Sequence, residues 1–267
     1  MSKKIIYSIW SDLTVAHTSV NDYKKESFNK YKDTLIKIQK DYAFKHGADY
    51  ELFTPVSTDY TNVQFDKILK FEDLTNFYDQ VVYFDLDIIP ITKKNIFEEF
   101  SFDNICIYDY LIDINNARTR NQIKIVFKEK TIIDHMNRHS KVCAKNAMLL
   151  LHDIVGNQKI CNTGVIAGNK KAAEALSYSK NIKLMNKTLK EAKKDSLYPE
   201  EYSKGWIKNN EIYFSFLLEK YNIKYNNIGI QWNYILDDLV QSFTPAAHLI
   251  HQVNKDFHET IPGLKQI

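Results

Sequence analysis

Two hydrophobic rhythms alternate along the chain: short unbroken apolar runs, and longer stretches with an apolar residue every three or four positions. "KKIIYSIW" (3–10) is a run of β-forming residues and the "SD" after it is loop chemistry, so a first strand is predicted there. From Asp22 to His46 the apolar positions Phe28, Tyr31, Leu35, Ile38 and Tyr42 recur at helical spacing, with Gly47 as the stop. "DYELFTP" (49–55) reads as a second strand closed by Pro55. Phe65, Ile68, Leu69, Leu74 and Phe77 then give another helical face ahead of the strand "VVYF" (81–84). The order β-α-β-α-β predicts an α/β fold with a mostly parallel central sheet flanked by helices.

Farther on, "NICIYDY" (104–110) and "KICNTGVIAG" (159–168) read as further strands. The segment 111–158 is rich in Lys, Asn and Arg and has mixed helical periodicity, which predicts helices and loops capping the site. Helical patterns resume at 170–178 and 207–221, followed by "NIKYNNIG" and the short apolar piece "HLIH" (248–251). No repeat, low-complexity tract or Gly/Ser/Pro linker divides the chain, so residues 1–267 are expected to form one domain.

Composition narrows the function classes. With 44% hydrophobic residues in 267, the chain can bury a substantial core. The formal net charge is +3 and Lys and Arg are interleaved with Asp and Glu, so no basic stripe argues for a nucleic-acid partner. Cys106, Cys143 and Cys161 form no CxxC pair, and two lie in apolar strand-like runs, as small buried thiols do. No apolar run approaches a bilayer span, and "MSKKIIYSIWSD" lacks the long apolar core of a signal peptide. A cytoplasmic location is expected, and the high Lys, Asn, Ile and Tyr usage fits an AT-rich genome, bacterial or viral.

The candidate chemistry sits in "VVYFDLDIIP" (81–90), where Asp85 and Asp87 end an apolar run. In parallel sheets ligands gather beyond the C-terminal ends of the strands, which is where these aspartates and Ser8 to Asp12 fall. Residues i and i+2 of an extended chain point to one side, so the two carboxylates can converge on one ion. Two hard oxygen ligands suit Mg²⁺ or Mn²⁺, metals that complete their shell with waters and substrate phosphates. The plain alternative is that the aspartates cap a loop or pair with Lys93 or Lys94.

"YFDLDIIP" resembles the D-x-D signature of GT-A glycosyltransferases, and the order of "IIYSIW", Lys67 in "QFDKILKF", "NTGVIAG" and "HLIHQVNKD" is similar to that of the glycogenin and lipopolysaccharide galactosyltransferase group. The resemblance covers most of residues 3 to 256. It implies a Rossmann-like GT-A domain and a hexosyl transfer from a nucleotide-diphosphate sugar, UDP by default, to a hydroxyl of a glycan or glycoprotein acceptor. It also implies Mn²⁺ or Mg²⁺ held by Asp85, Asp87 and His251. Donor binding is carried over to Ser8, Ile9, Trp10, Lys67, Asp85, Leu86, Asp87, Asn162, Thr163, Gly164 and Lys255. Asn210 and Glu211 in "NNEIYF" occupy the region that faces the donor sugar, and Val253 or Asn254 stands where the family has glycine.

A divalent ion and Lys255 would stabilise charge developing on the departing nucleotide. The acceptor proton would go to Glu211 or Asp109 in an inverting enzyme, or to the leaving phosphate in a retaining one. Asp109, at the end of the strand after D-x-D, equally reads as a solvated loop acid. Trp10 and Trp232 read as stacking platforms or as core, and His248 as structural. Two other classes stay open: a haloacid-dehalogenase-type phosphatase with Asp85 as nucleophile, and a nucleotide-sugar-binding module without turnover. With no metal, two like charges at a strand tip are expected to repel, so Asp87→Ala is expected to keep or slightly raise folding stability.

Overall fold

The computed structural model describes residues 2–11, 22–55, 60–111, 129–197, 200–204, 206–237 and 242–264. Its central sheet has six strands: β1 (Lys4–Ile9), β2 (Asp49–Phe53), β3 (Gln80–Phe84), β5 (Ile105–Leu111), β6 (Lys159–Gly168) and β7 (Tyr225–Asn227), in the order β2-β1-β3-β6-β5-β7. β6 alone runs against the others. The class is therefore the predicted one, a mostly parallel sheet flanked by helices. A second sheet of three short strands, β4 (Ile88–Pro90), β9 (Leu249–Gln252) and β8 (Tyr234–Leu236), stands beside it.

The apolar runs are unbroken because both faces of the large sheet are covered. Ile5, Tyr7, Val81, Tyr83, Ile105, Ile107 and Ile166 point to one side. There they meet α2 (Tyr60–Leu74), α4 (Glu129–Leu150), α6 (Tyr178–Lys194) and α8 (Asn210–Lys220). Their neighbours Ile6, Val82, Phe84, Cys106, Tyr108, Val165 and Ala167 point to the other, where Tyr42 and Ala43 of α1 (Asp22–Lys45) and Trp232 pack. A third cluster joins Trp10, Phe28, Leu35 and Leu86 to Ile250 and to Phe257 of α9 (Phe257–Leu264). Trp232 is core, edge-on to His248 at 4.9 Å, and Trp10 stacks on Phe28 at 5.6 Å. The three cysteines are buried, and burial pushes the Cys106 thiol up to about 11 and the Cys161 thiol to about 12.

Local signals explain several boundaries. The predicted stop of α1 is real: Gly47 is left-handed (φ 67°), and Ala48 N–H donates back to Ala43 O at 3.0 Å. The helical pattern of 170–178 divides at Ser177, itself left-handed, into α5 (Lys170–Leu176) and α6. Sequence reading ends that pattern at 178, whereas α6 runs on to Lys194. Its buried face carries Met185, Thr188, Leu189 and Ala192. Lys180, Lys183, Lys187, Lys190 and Lys194, at steps of three and four, are all exposed and lie within roughly 80° of arc on the opposite face. Charges that look interleaved along the sequence thus form a row about 21 Å long at 1.5 Å per residue.

Part of the predicted cap, residues 112–128, lies outside the described residues, as does Asp12. The rest of that segment is largely α4, which packs on α8, α6 and β6. Among the described residues no helix is long and apolar enough to cross a membrane.

Candidate metal centre

Asp85, Leu86 and Asp87 link β3 to β4 of the small sheet. They form a tight turn closed by Ile88 N–H donating to Asp85 O at 2.9 Å, not the extended chain expected from the i, i+2 spacing. Leu86 drops into the third apolar cluster between the two carboxylates. The turn is held from three sides. Asp85 N–H donates to Gly164 O at 2.8 Å, and Asp87 O accepts from Gln252 N–H at 3.0 Å. From α1, the fully buried Gln39 donates Nε2 to Asp85 O (3.0 Å) and Ile88 O (2.8 Å), while its Oε1 accepts from Ser8 Oγ at 2.5 Å. Gln39→Leu would take away the side-chain donor to Ile88 O, one of the two donors to Asp85 O and the acceptor of the Ser8 hydroxyl, and is expected to lower stability by about 2 kcal/mol or more, read by urea unfolding.

Each carboxylate already has a cation. Lys67 Nζ lies 3.1 Å from Asp85 Oδ1 and donates to Thr163 O at 3.0 Å, and the Tyr83 hydroxyl donates to the same Asp85 oxygen. Lys255 Nζ bonds Asp87 Oδ2. His251 Nε2 lies 3.4 Å from Asp87 Oδ2 and 3.8 Å from Asp85 Oδ2. Burial alone would push Asp87 up, but the Lys255 ammonium and His251 outweigh it and hold its carboxyl well below the usual carboxylate range. The like-charge strain expected from the sequence is thus relieved without a metal. The stability gain expected for Asp87→Ala reverses sign, because the substitution would leave Lys255 unpaired in a largely buried position. Lys93 and Lys94, the alternative partners, form no ion pair with either aspartate among the described residues.

Lys255 reaches Asp87 from a left-handed backbone (φ 66°). The expected glycine is absent from this turn, and Lys255 itself takes the conformation glycine favours, at a cost of order 1–2 kcal/mol. Its carbonyl accepts from Ser27 Oγ at 2.5 Å, and its ammonium lies 4.9 Å from the centre of the Phe28 ring.

β6 supplies the wall opposite. β5 pairs with it at Ile107↔Ile166 and next at Tyr108↔Asn162, so residues 163–165 arch out of the β5 ladder. That arch delivers Thr163 O to Lys67 and Gly164 O to Asp85. Gly164 abuts the His251 imidazole: a Cβ there would lie 2.5 Å from its Cε1 and 2.7 Å from its Nδ1. A row of side-chain hydrogen bonds then leads away from the centre. His251 Nδ1 meets Asn233 Oδ1 at 3.0 Å, Asn233 Nδ2 donates to Asn162 Oδ1 at 2.8 Å, and Asn162 Nδ2 donates to Glu211 Oε1 at 3.0 Å. Glu211 sits in the first turn of α8, capped by Asn209 and paired with Lys141 of α4.

The structure therefore gathers Asp85, Asp87, His251, Lys255, Lys67, Thr163, Gly164, Asn162 and Glu211 into one connected group. Ser8 touches it through Gln39, whereas Ile9 is core beside it and Trp10 belongs to the third apolar cluster. Asn210 is buried and donates to Gln64 O at 3.1 Å. Asp109 is no solvated loop acid: its buried carboxylate accepts from Tyr225 and Asn227 and lies 3.1 Å from Lys159 Nζ. Sequence reading missed Gln39, Asn233 and Lys141. Of these only Gln39 left a trace, as a polar residue four positions after Leu35 on the buried stripe of α1.

Asp85, Asp87 and His251 each offer a ligand atom, all within 4.8 Å of one another. Donors around a six-coordinate ion with bonds near 2.1 Å stand about 3–4.2 Å apart, so this set fits Mg²⁺ or Mn²⁺ with small shifts. No protein-family model matches the sequence, and no curated protein matches it. Among solved structures the chain is similar to a glycosyltransferase involved in the glycosylation of the major capsid of PBCV-1. That match has 11% identity and a TM-score of 0.44, and covers 99% of this chain and 100% of the other. It is also similar to mouse xyloside xylosyltransferase 1, at 10% identity and a TM-score of 0.41 over 94% and 98% of the two chains. A third similarity is to the galactosyltransferase LgtC in complex with donor and acceptor sugar analogs, at 11% and 0.39 over 94% and 87%.

Proposed function

We propose that the protein is a metal-dependent glycosyltransferase that moves a sugar from a nucleotide-diphosphate donor, a UDP-sugar, to a hydroxyl of a glycan acceptor. The observation that carries this reading is the convergence of Asp85, Asp87 and His251 on one point, with Lys67 and Lys255 beside them. Two carboxylates and an imidazole would hold Mn²⁺ or Mg²⁺, and the two ammonium groups suit the oxygens of a diphosphate.

When bound, the ion supplies Lewis-acid stabilisation of the charge that develops on the departing nucleotide. The chain's own part is orientation. With a cation held by Asp87, the Lys255 ammonium would be free to bond a phosphate oxygen of the donor, a contact that would strengthen as negative charge grows on the departing diphosphate. Thr163 and Gly164, on their arch beside His251, line the approach of the sugar. Of the two candidate bases we favour Glu211, because two asparagine amides join it to His251, whereas Asp109 is bonded to Tyr225, Asn227 and Lys159.

The test is calorimetry with UDP, GDP, ADP and CMP, each with Mn²⁺ or with EDTA, followed by slow-hydrolysis assays on the matching nucleotide-sugars. One nucleotide diphosphate is expected to bind at least tenfold more tightly with Mn²⁺, and its sugar conjugate to be hydrolysed slowly without acceptor. Failure to bind or hydrolyse any of them sinks the transferase reading. Turnover of a simple phosphate ester through a phosphorylated Asp85 would replace it with a phosphatase, and metal-dependent affinity without product from any acceptor would leave a binding module.

A further inference from the structure

We infer that Asn233 is a positioning residue: through an amide chain anchored at Gly164 and Glu211 it holds a hydrogen on His251 Nδ1, so that Nε2 is the ring nitrogen turned to Asp85 and Asp87. The purpose given to that nitrogen rests on the metal-dependent reading above; the hydrogen placement does not. Both anchors of the chain are chemically unambiguous. The backbone N–H of Gly164 can only donate, and it lies 3.0 Å from Asn162 Oδ1, so that atom is the amide oxygen. The Glu211 carboxylate, held by Lys141, accepts, and Asn162 Nδ2 lies 3.0 Å from it. Asn162 is thus oriented from two sides.

The rest follows by elimination. Asn162 Oδ1 has a second neighbour at 2.8 Å from Asn233, which must be the donor nitrogen, since two amide oxygens at that distance would repel. The other end of Asn233 is then its oxygen, and it lies 3.0 Å from His251 Nδ1. Nδ1 therefore carries the hydrogen. Nε2 is then the nitrogen that faces the carboxylate oxygens, 3.4 and 3.8 Å away. Asn233 is fully buried, so no water substitutes for either of its bonds. The opposite tautomer would donate Nε2–H to Asp87 and put a proton where a cation has to sit. Outer partners of this kind typically raise metal affinity by roughly 10–100-fold.

The experiment measures directly which ring nitrogen of His251 carries the hydrogen, by long-range ¹H–¹⁵N correlation on the metal-free protein at a series of alkaline pH values. Wild type is expected to show Nδ1–H, and Asn233→Ala to lose it in favour of Nε2–H or a mixture. Asn233→Asp keeps an acceptor for Nδ1–H but turns an oxygen on Asn162 Oδ1, so it is expected to retain the hydrogen on Nδ1 in a protein less stable than wild type. Titration with Mn²⁺ alone should show affinity falling about 10–100-fold in Asn233→Ala and recovering to within a few-fold of wild type in Asn233→Asp. An Nε2–H ring in the wild type, or an unchanged tautomer in Asn233→Ala, overturns the inference. Should Asn233→Ala not fold, the wild-type spectrum and the Asn233→Asp titration still decide it. Absence of Mn²⁺ binding by wild type with the Nδ1–H ring in place would instead refute the metal-dependent reading and leave the positioning role standing.

Discussion

Asp87→Ala is expected to abolish Mn²⁺-dependent nucleotide binding and nearly all sugar transfer, and to make the protein less stable. Asp87 is the carboxylate shared by the whole centre: its Oδ2 faces His251 Nε2 at 3.4 Å and bonds Lys255. On the proposed reading its removal takes away one of two hard oxygen donors, so the loss should exceed the roughly 10–100-fold that an outer partner contributes. Nucleotide affinity measured with Mn²⁺ and with EDTA should become equal. Stability moves for a separate reason. Lys255, only 17% exposed, would lose its carboxylate partner, at a cost of about 2–3 kcal/mol in urea unfolding, less than for a fully buried pair because some water reaches it. The carboxyl is depressed in the folded state, so its contribution is fully present above the unfolded value near 3.9 and fades as pH falls further. Wild type and variant should therefore converge in acid. Unchanged Mn²⁺-dependent binding in Asp87→Ala would remove this residue from any metal site.

Gly164→Ala should do comparable damage with a single methyl group. The added carbon would stand 2.5 Å from His251 Cε1 and 2.7 Å from its Nδ1, with Asn162 Oδ1 at 3.0 Å. Neither neighbour is a flexible chain end: the imidazole is held by Asn233, and Asn162 by Gly164's own N–H and by Glu211. Relief requires the ring to swing or the arch of β6 to lift, and either separates Nε2 from the carboxylates. A loss of about 1–3 kcal/mol in stability is expected, together with a fall in Mn²⁺-dependent nucleotide affinity of at least tenfold. Calorimetry and urea unfolding on one preparation check both. Full metal-dependent affinity in this variant would show that His251 does not need its present position.

The large sheet was legible because its strands are buried on both faces and so appear as continuous apolar runs; "KICNTGVIAG" coincides with β6. The antiparallel direction of β6 was not, since direction is a tertiary fact. The three-residue strands β4 and β8 are too short for a period-2 signal. In α6 the lysine row hides an apolar face only five residues deep, so the pattern seems to stop at 178. At the centre, D-x-D and His251 were readable as residue types, and Lys67 and Lys255 by their order along the chain. Their pairing was not. Asp87 and Lys255 are 168 residues apart, and Asn233 reaches Asn162 across 71, distances that no spacing rule spans. The extended-chain argument for Asp85 and Asp87 pointed to the right convergence for the wrong reason, because a turn, with Leu86 buried beneath it, brings them together.

The lysine row on α6 concentrates charge on one ridge. Residues 178–194 contain six lysines against one glutamate, +5, while the whole chain carries +3, so the remainder sums to −2. Net charge therefore understates what a neighbour feels on this side, where five ammonium groups share one ridge. A polyanion that approaches the ridge meets a local field well above that of a weak cation. That attraction is a low-salt effect, because at physiological ionic strength fields decay over about 8 Å, less than half the length of the row itself.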